Sequence, residues 1–261
     1  MTKPLRLAVL GDPIAHSRSP RIHNAAMRHL GIDGSYEARR AGPVELGVAI
    51  AEIRQGTLDG INITMPLKIA ARDSSDRLTE EARSSGSVNT LRAREGMVEG
   101  HSTDVLASRQ TLSDLRFDKS APVLVLGAGG AAAAVLATAG GREVYLAARN
   151  PDRARALAEL SPIPVSVIPF GKPVAGALVV NATPLGMSGE VLPVEVAGVA
   201  SGLVDLAYGD APTPAVLSAQ REGLPFMDGV EFLVLQAALS FEWWTGLEAP
   251  FAVMLEAARK R

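Results

Sequence analysis

Val123-Leu124-Val125-Leu126-Gly127-Ala128-Gly129-Gly130-Ala131-Ala132-Ala133-Ala134-Val135-Leu136-Ala137 is the stretch that decides how this chain is read. Its four leading apolar residues have no polar break, the pattern of a parallel strand buried on both faces. Gly127, Gly129 and Gly130 follow at once, then alanines with high helix propensity. Strand, glycine turn and helix together aim backbone N–H groups and a helix N-terminus at a phosphate. A side chain on those glycines would hold a pyrophosphate away from the backbone. Strand-to-helix turns also use glycine for steric reasons alone, so the surrounding sequence must arbitrate. Glu143 to Ala147 supplies a second strand at the spacing of a βαβ unit. The third glycine of the dinucleotide fingerprint is replaced by Ala132, which close helix–strand packing still allows. Dinucleotide binding is therefore the expected role of the turn.

The whole chain sets bounds on that reading. Its 261 residues suffice for one large or two ordinary domains. A formal net charge of −2 does not favour nucleic acid or anionic membrane as the main partner. The absence of cysteine excludes disulfides, thiolate catalysis and cysteine-ligated zinc, and fits a reducing, cytoplasmic location. Met1 to Leu10 lacks the apolar core and cleavage site of a signal peptide. No apolar run approaches the roughly 20 residues of a transmembrane helix. The histidines at 16, 23, 29 and 101 show no metal spacing, and no G-x-S-x-G, H-E-x-x-H or P-loop signature occurs, so no metal is expected.

In the N-terminal part, Leu5 to Leu10 reads as a buried strand ended by Gly11, Asp12 and Pro13. The next loop, His16-Ser17-Arg18-Ser19-Pro20, is dense in hydrogen-bond donors. Ser19 as N-cap and Pro20 as first helical residue start a helix running to about Leu30. Ser17, Ser19 and the helix N-terminus also suit a carboxylate, although local sequence alone favours the cap. Ser35 to Ala38 is a short strand, Val44 to Arg54 a helix and Leu58 to Thr64 a strand, after which Pro66 starts another helix. Asn62, Thr64 and Lys68 thus gather at a strand's carboxyl end and the next turn, where open α/β sheets place ligands. A lysine in a first turn is commonly a solvated side chain, but Met65, Leu67 and Ile69 can draw the stem of Lys68 into a cleft. Thr79 to Ser85 is read as a helix, Val88 to Leu91 as a strand and Met97 to Glu99 as its hairpin partner. Ser102-Thr103-Asp104 opens a helix whose dipole Asp104 complements.

Beyond the central unit, Pro151 to Leu160, Thr213 to Arg221, Val230 to Thr245 and Phe251 to Ala258 are read as helices. Val165 to Ile168, Ala177 to Val180 and Leu203 to Leu206 are read as strands. Val230 to Thr245 is expected to return to the first domain and make it discontinuous. In a βαβ nucleotide fold the residue ending the second strand lies beside the adenosine ribose. An acid there would hold the free 2′-hydroxyl of NAD; Ala147-Ala148-Arg149-Asn150 has none. The interval from Gly127 to Arg149 is about the expected 20 residues. Arg149 suits a 2′-phosphate as a planar bidentate donor, and Arg153, one turn on, faces the same way. Two solvated arginines at a helix start are the plainer alternative, at a mild cost against the dipole.

Several loops taken together resemble the shikimate dehydrogenases, the NADP-dependent enzymes of aromatic amino-acid biosynthesis. The matching stretches are Gly11-Asp12-Pro13-Ile14-Ala15-His16-Ser17-Arg18-Ser19-Pro20, Asn62-Ile63-Thr64-Met65-Pro66-Leu67-Lys68, Val88-Asn89-Thr90, Ser102-Thr103-Asp104, Gly127-Ala128-Gly129-Gly130-Ala131, Asn181-Ala182-Thr183-Pro184-Leu185-Gly186-Met187 and Gln236. They occur in family order and span nearly the whole chain. The resemblance implies a two-domain α/β fold: 1–104 for substrate and catalysis, 105–229 as a Rossmann-like NADP-binding domain, and 230–261 as helices packing on the first. It implies reversible NADPH-dependent reduction of 3-dehydroshikimate to shikimate, on the route to chorismate.

By the same carry-over, Ser17 and Ser19 bind the shikimate carboxylate, Thr64, Asn89, Asp104 and Gln236 hold the ring hydroxyls, and Tyr208 lies near the substrate. Lys68 and Asp104 form the catalytic pair. Cofactor contacts fall to Gly127, Ala128, Gly129, Gly130, Ala131, Arg149, Asn150, Arg153, Asn181, Thr183, Pro184, Met187 and Gly229. Ser102, Val105, Ala148, Glu231 and Phe232 depart from the residues usual in the family. The chemistry follows from the residues: reduction of a ketone needs a hydride, which the cofactor supplies, and a proton for the developing alkoxide. A protonated Lys68 both stabilises that oxygen and donates to it, with Asp104 orienting the ammonium. The chain is expected to act on a small molecule, as a monomer or homodimer. A quinate/shikimate dehydrogenase using either cofactor, a non-catalytic NADP-binding regulator and a generic nucleotide-binding domain are the rivals. Intact Lys68 and Asp104 argue against the regulator, and the substrate-loop motifs against the generic domain.

Overall fold

The computed structural model describes residues 3 to 260. The chain divides into two compact units, one running to Leu106 and resuming at Val234, the other spanning Ala107–Leu233.

The first unit contains β1 (Leu5–Gly11), α1 (Ser19–His29), β2 (Gly34–Arg40), α2 (Pro43–Arg54), β3 (Gly60–Ile63), α3 (Lys68–Asp73), β4 (Arg77–Leu78), α4 (Glu80–Ser85), β5 (Thr90–Arg94) and β6 (Met97–His101). Helix α5 (Thr103–Leu112) then carries the chain into the second unit. The sheet order is β2-β1-β3-β5-β6-β4. β1 runs parallel to β2 and β3, whereas β5 is antiparallel to both β3 and β6. All four residues of β3 are buried, because helices cover the sheet there. One core joins Leu10, Ile61 and Ile63 of the sheet to Leu46, Ile50 and Ile53 of α2.

The second unit follows with β7 (Val123–Leu126), α6 (Gly130–Leu136), β8 (Val144–Ala147), α7 (Pro151–Glu159), β9 (Ser166–Val167), β10 (Leu178–Asn181), α8 (Val194–Ala197), β11 (Gly202–Asp205), α9 (Pro214–Glu222) and β12 (Phe226–Met227). Its order is β12-β11-β10-β7-β8-β9, with every pairing parallel. This is the doubly wound arrangement, with its switch point between β7 and β10. β7, β10 and β11 are buried at every residue, as their unbroken apolar sequences require.

Helix α10 (Gly229–Thr245) returns the chain to the first unit, and α11 (Phe251–Arg259) packs on α1. Arg18 Nη1 and Arg21 Nη2 donate to the Ala258 carbonyl at 3.1 and 2.9 Å, satisfying the C-terminal turn of α11. Trp244 lies over β3, where a Cβ on Gly60 would meet its indole nitrogen; only glycine admits that approach. Trp244 Nε1 donates to the Leu91 carbonyl at 3.0 Å.

Three sequence expectations need correction. Helix α3 begins at Lys68 and not at Pro66, because Thr64 to Leu67 form a turn closed by Leu67 N–H donating to Thr64 O at 3.0 Å, with a cis bond before Pro66. Ser19 is the first helical residue and not the cap: Arg18 holds the cap position without a side-chain bond, and the Ser17 hydroxyl accepts the Ser19 N–H at 3.3 Å. The strand expected at Val88 begins at Thr90, since Val88 N–H turns away to the Lys68 carbonyl. Sequence also left β4, β12 and α8 unread, all four residues or shorter.

His23 on α1 is wholly buried, stacked on Tyr36 at 4.2 Å between ring centres, and neither ring nitrogen has a partner among the described residues. Burial pushes its pKa down to about 3. The unfolded chain protonates His23 near pH 6.5 while the folded one does not, so the unfolded state binds more protons as pH falls from 6.5 towards 3. Stability is therefore full above pH 6.5 and is lost below it, by about 2 kcal/mol between pH 7 and 5 from this group. Denaturant unfolding of wild type and His23→Leu across that window should show the variant losing correspondingly less; parallel curves would refute the effect.

Candidate active site

Strand β3 ends at Ile63, and the Thr64–Leu67 turn delivers Lys68 to the first position of α3. Asp104 stands in the first turn of α5, just beyond the end of β6. The two meet: Lys68 Nζ donates to Asp104 Oδ2 at 2.5 Å, with the side chains 19% and 9% exposed. A nearly buried carboxylate held by a partly exposed ammonium is oriented and still open to a ligand on the lysine side. Ser17, in the turn before α1, is partly exposed and Ser19, the first residue of α1, is buried, and among the described residues neither hydroxyl donates within the chain. Thr64 is partly exposed, and its hydroxyl likewise has no internal hydrogen bond among the described residues.

Asn89 is nearly saturated. Its Oδ1 accepts Thr103 N–H at 2.8 Å and the Thr90 hydroxyl at 3.0 Å, while its Nδ2 donates to Thr103 Oγ1 at 2.9 Å. The second amide hydrogen reaches Gln236 Oε1 at 3.4 Å, a long bond that a better acceptor would replace. Behind it Ser240 of α10 ties Asn62, Thr90 and Thr103 together at 3.0 to 3.1 Å, and Tyr36 donates to Asn62 Oδ1 at 2.7 Å. This buried network fixes the Asn89 amide, because each of its groups is satisfied in one orientation only. Of these residues the sequence points to Asn62, but not to Tyr36 or Ser240. Ser240 breaks an apolar run of α10, and Tyr36 is the one aromatic residue of the largely polar strand β2.

In the second unit Gly127 has φ +112°, and a Cβ there would lie 2.7 Å from the Ala182 carbonyl oxygen, so the turn requires glycine. Gly129 has nothing within 4 Å of the position its Cβ would take, which leaves open space at the start of α6. Ala128, Gly130 and Ala131 are partly exposed beside it, whereas Ala132 is buried. Arg149 and Arg153 follow β8 on α7 and its approach; both are exposed, and neither guanidinium has a partner among the described residues. Arg155 nearby takes Asp152 instead. A glycine turn with free space and two unpaired cations past the second strand fit a dinucleotide carrying a 2′-phosphate.

Asn150 is the N-cap of α7, accepting from Asp152 N–H at 3.0 Å and Arg153 N–H at 3.1 Å, so it places the arginines. Asn181 is wholly buried and its amide is used up within the fold. Thr183 is partly exposed, while Pro184 and Met187 are exposed, so the loop beyond Asn181 presents the contact surface. Gly229 opens α10, and Tyr208 is partly exposed after β11.

The departing residues have distinct surroundings. Glu231 pairs with Arg116 at 2.6 Å, and Phe232 lines a cavity of about 10 Å³ with Ser108 and Thr111. The Ser102 hydroxyl is buried without a partner among the described residues, Val105 is buried, and Ala148 brings no polar group to the β8 turn. Among the described residues no three His, Cys, Asp or Glu side chains gather to hold a metal, and no helix is long and apolar enough to cross a membrane.

Family models for the shikimate dehydrogenase substrate binding domain and the shikimate 5'-dehydrogenase C-terminal domain match residues 9–91 and 229–259. A shikimate dehydrogenase (NADP(+)) of Thermus thermophilus is 40% identical over 261 residues, covering 98% of each chain. Among solved structures, a shikimate 5-dehydrogenase of Thermus thermophilus in complex with NADP(H) and shikimate has a TM-score of 0.87 at 39% identity over 98% of each chain. The Mycobacterium tuberculosis shikimate dehydrogenase has a TM-score of 0.84 at 32% identity, over 98% of this chain and 99% of that one.

Proposed function

We propose, from the premise that this chain belongs to the shikimate dehydrogenase family, that it reduces 3-dehydroshikimate to shikimate reversibly with NADPH. The observation that carries the reading is the Lys68–Asp104 pair, intact and 2.5 Å apart in the unit that also holds Ser17, Ser19, Thr64, Asn89 and Gln236. NADP fits the second unit, where Arg149 and Arg153 would hold the 2′-phosphate and the Gly127–Ala131 turn the pyrophosphate; bound there, it supplies the hydride. Ser17 and Ser19 bind the substrate carboxylate by donating to it. Thr64, Asn89 and Gln236 hold ring hydroxyls, and Tyr208 belongs to the same assignment. Lys68, its ammonium aimed by Asp104, stabilises the alkoxide oxygen and gives it a proton; in the oxidative direction it takes the proton back. The first unit is thus the substrate-binding domain and the second the cofactor-binding domain, in a cytoplasmic biosynthetic enzyme acting as a monomer or homodimer.

Initial rates of NADP and NAD reduction with shikimate and with quinate test the reaction. Turnover of shikimate with NADP is expected to dominate, and its absence overturns the proposal. The carboxylate assignment has its own test. Ser17→Ala and Ser19→Ala should each weaken shikimate binding by roughly 1.5–3 kcal/mol, the cost of a hydrogen bond to a charged group, with NADPH affinity nearly unchanged. A Ser19→Ala variant that lowers the melting temperature and spares shikimate KM would reduce Ser19 to a structural residue.

A further inference from the structure

We infer that Asp205 is a positioning residue: one buried carboxylate that sets the conformation of both the Asn181–Met187 loop and the segment leading to Tyr208, and through them cofactor affinity and turnover. The inference rests on the function proposed above.

Asp205 ends β11 with no exposed surface. Its partners are all neutral: Asn181 Nδ2 at 2.8 Å and Ala207 N–H at 3.1 Å on Oδ1, and the Thr213 hydroxyl on Oδ2. Burial pushes the carboxyl pKa up, and these donors pull against it. An apolar residue here would leave the Asn181 amide, the Ala207 N–H and the Thr213 hydroxyl without this acceptor, so the carboxylate acts through what it orients.

What it orients is an amide. Asn181 stands opposite Asp205 in the β10–β11 register. Oδ1 of Asp205 accepts from two N–H donors and so carries no proton, which requires the NH₂ end of Asn181 to face it and the Oδ1 end to face away. That Oδ1 accepts Thr183 N–H at 3.1 Å and the Thr183 hydroxyl at 2.6 Å, and the second Nδ2 hydrogen goes to Leu185 O at 2.9 Å. The Thr183 hydroxyl in turn accepts Leu185 N–H at 3.1 Å. An amide turned the other way would present an oxygen to the carboxylate and break the bonds to Thr183 N–H and Leu185 O. Asp205 therefore chooses the loop conformation that exposes Thr183, Pro184 and Met187.

The same carboxylate holds the other flank. Its bond to Ala207 N–H shapes the turn before Tyr208, and Gly229 passes so close that a Cβ there would lie 3.0 Å from the Asp205 carbonyl oxygen. Thr213, held by Oδ2, caps α9 through Val216 N–H at 3.2 Å and abuts Gly186 of the loop.

Asp205→Leu, near in size but without acceptors, and Asp205→Asn, which can still present an oxygen to Asn181, give the test. Steady-state kinetics with NADP and shikimate, calorimetric shikimate binding without cofactor, and amide hydrogen exchange are measured on both. Asp205→Leu should raise NADP KM and lower kcat, each on the order of 10- to 100-fold, as for a displaced binding loop. Shikimate affinity should stay within about twofold, since the side chains assigned to its carboxylate and hydroxyls lie chiefly in the other unit. Exchange should quicken at Thr183, Leu185 and Ala207 while β7 and β8 stay protected, and Asp205→Asn should recover most of the kinetic loss. Wild-type kinetics in Asp205→Leu overturn the inference, as does loss of protection throughout β7, β8 and β10 in both variants. If Asp205→Leu does not fold, Thr213→Val decides by the same readouts: a raised NADP KM with quickened loop exchange is expected, and unchanged NADP KM with unchanged loop exchange overturns the inference. A wild type inert towards NADP and shikimate defeats the proposed reaction, whereas an active wild type matched by Asp205→Leu defeats this inference alone.

Discussion

Lys68→Ala should lower kcat for shikimate oxidation by about 10²–10⁴-fold, the usual worth of a positioned general acid or base. Shikimate Kd should change far less, because the other residues proposed to bind the substrate are untouched. The variant also leaves Asp104, 9% exposed, without its cation. Stripping one partner from a pair this deeply placed destabilises by roughly 3–5 kcal/mol as an upper range. Kinetics must therefore be read well below the variant's own melting temperature, with folding checked by circular dichroism. Near-normal turnover in a folded Lys68→Ala protein would remove Lys68 from the mechanism. Lost turnover accompanied by an equal loss of shikimate binding would make it a binding residue only.

Arg149→Asp should exchange cofactor preference. The wild-type guanidinium is exposed and without a partner among the described residues, at the end of the second strand of the dinucleotide unit. A bidentate pair with a 2′-phosphate is charge-assisted, and its loss costs roughly 1.5–3 kcal/mol, or about 10- to 100-fold in affinity. The introduced carboxylate adds repulsion towards the phosphate and a hydrogen-bond acceptor for the free 2′-hydroxyl of NAD. NADP KM should thus rise by about 10²-fold, NAD turnover should stay level or improve, and shikimate KM should barely move. Equal use of NAD and NADP by the wild type would sink this expectation and favour an enzyme of broader cofactor range. Asn150 gives the geometry its rigidity, since its side chain caps α7 at the two residues that follow Pro151.

What the sequence determined by itself was local. In Val123 to Ala137, apolar run, glycines and alanines overlap within one strand–turn–helix, so burial, turn and helix are each encoded by adjacent residues. The lack of an acid after Ala147 was legible for the same reason. Lys68 and Asp104 are 36 residues apart, and only their place in matching motifs linked them before the structure brought their side chains into contact. Tertiary structure alone decided the rest. Whether Ser19 caps α1 depended on a turn in which Ser17 takes its N–H, and the start of α3 on a carbonyl at Thr64 that closes a turn first. The orientation of the Asn89 amide is set from Ser240, 137 residues from Thr103, and that of Asn181 from Asp205, 24 residues on. Hydrophobic period and turn chemistry act over a few residues and can be read along a chain. A buried hydrogen bond depends on which strands lie side by side, so its partners become visible only when the sheet is assembled.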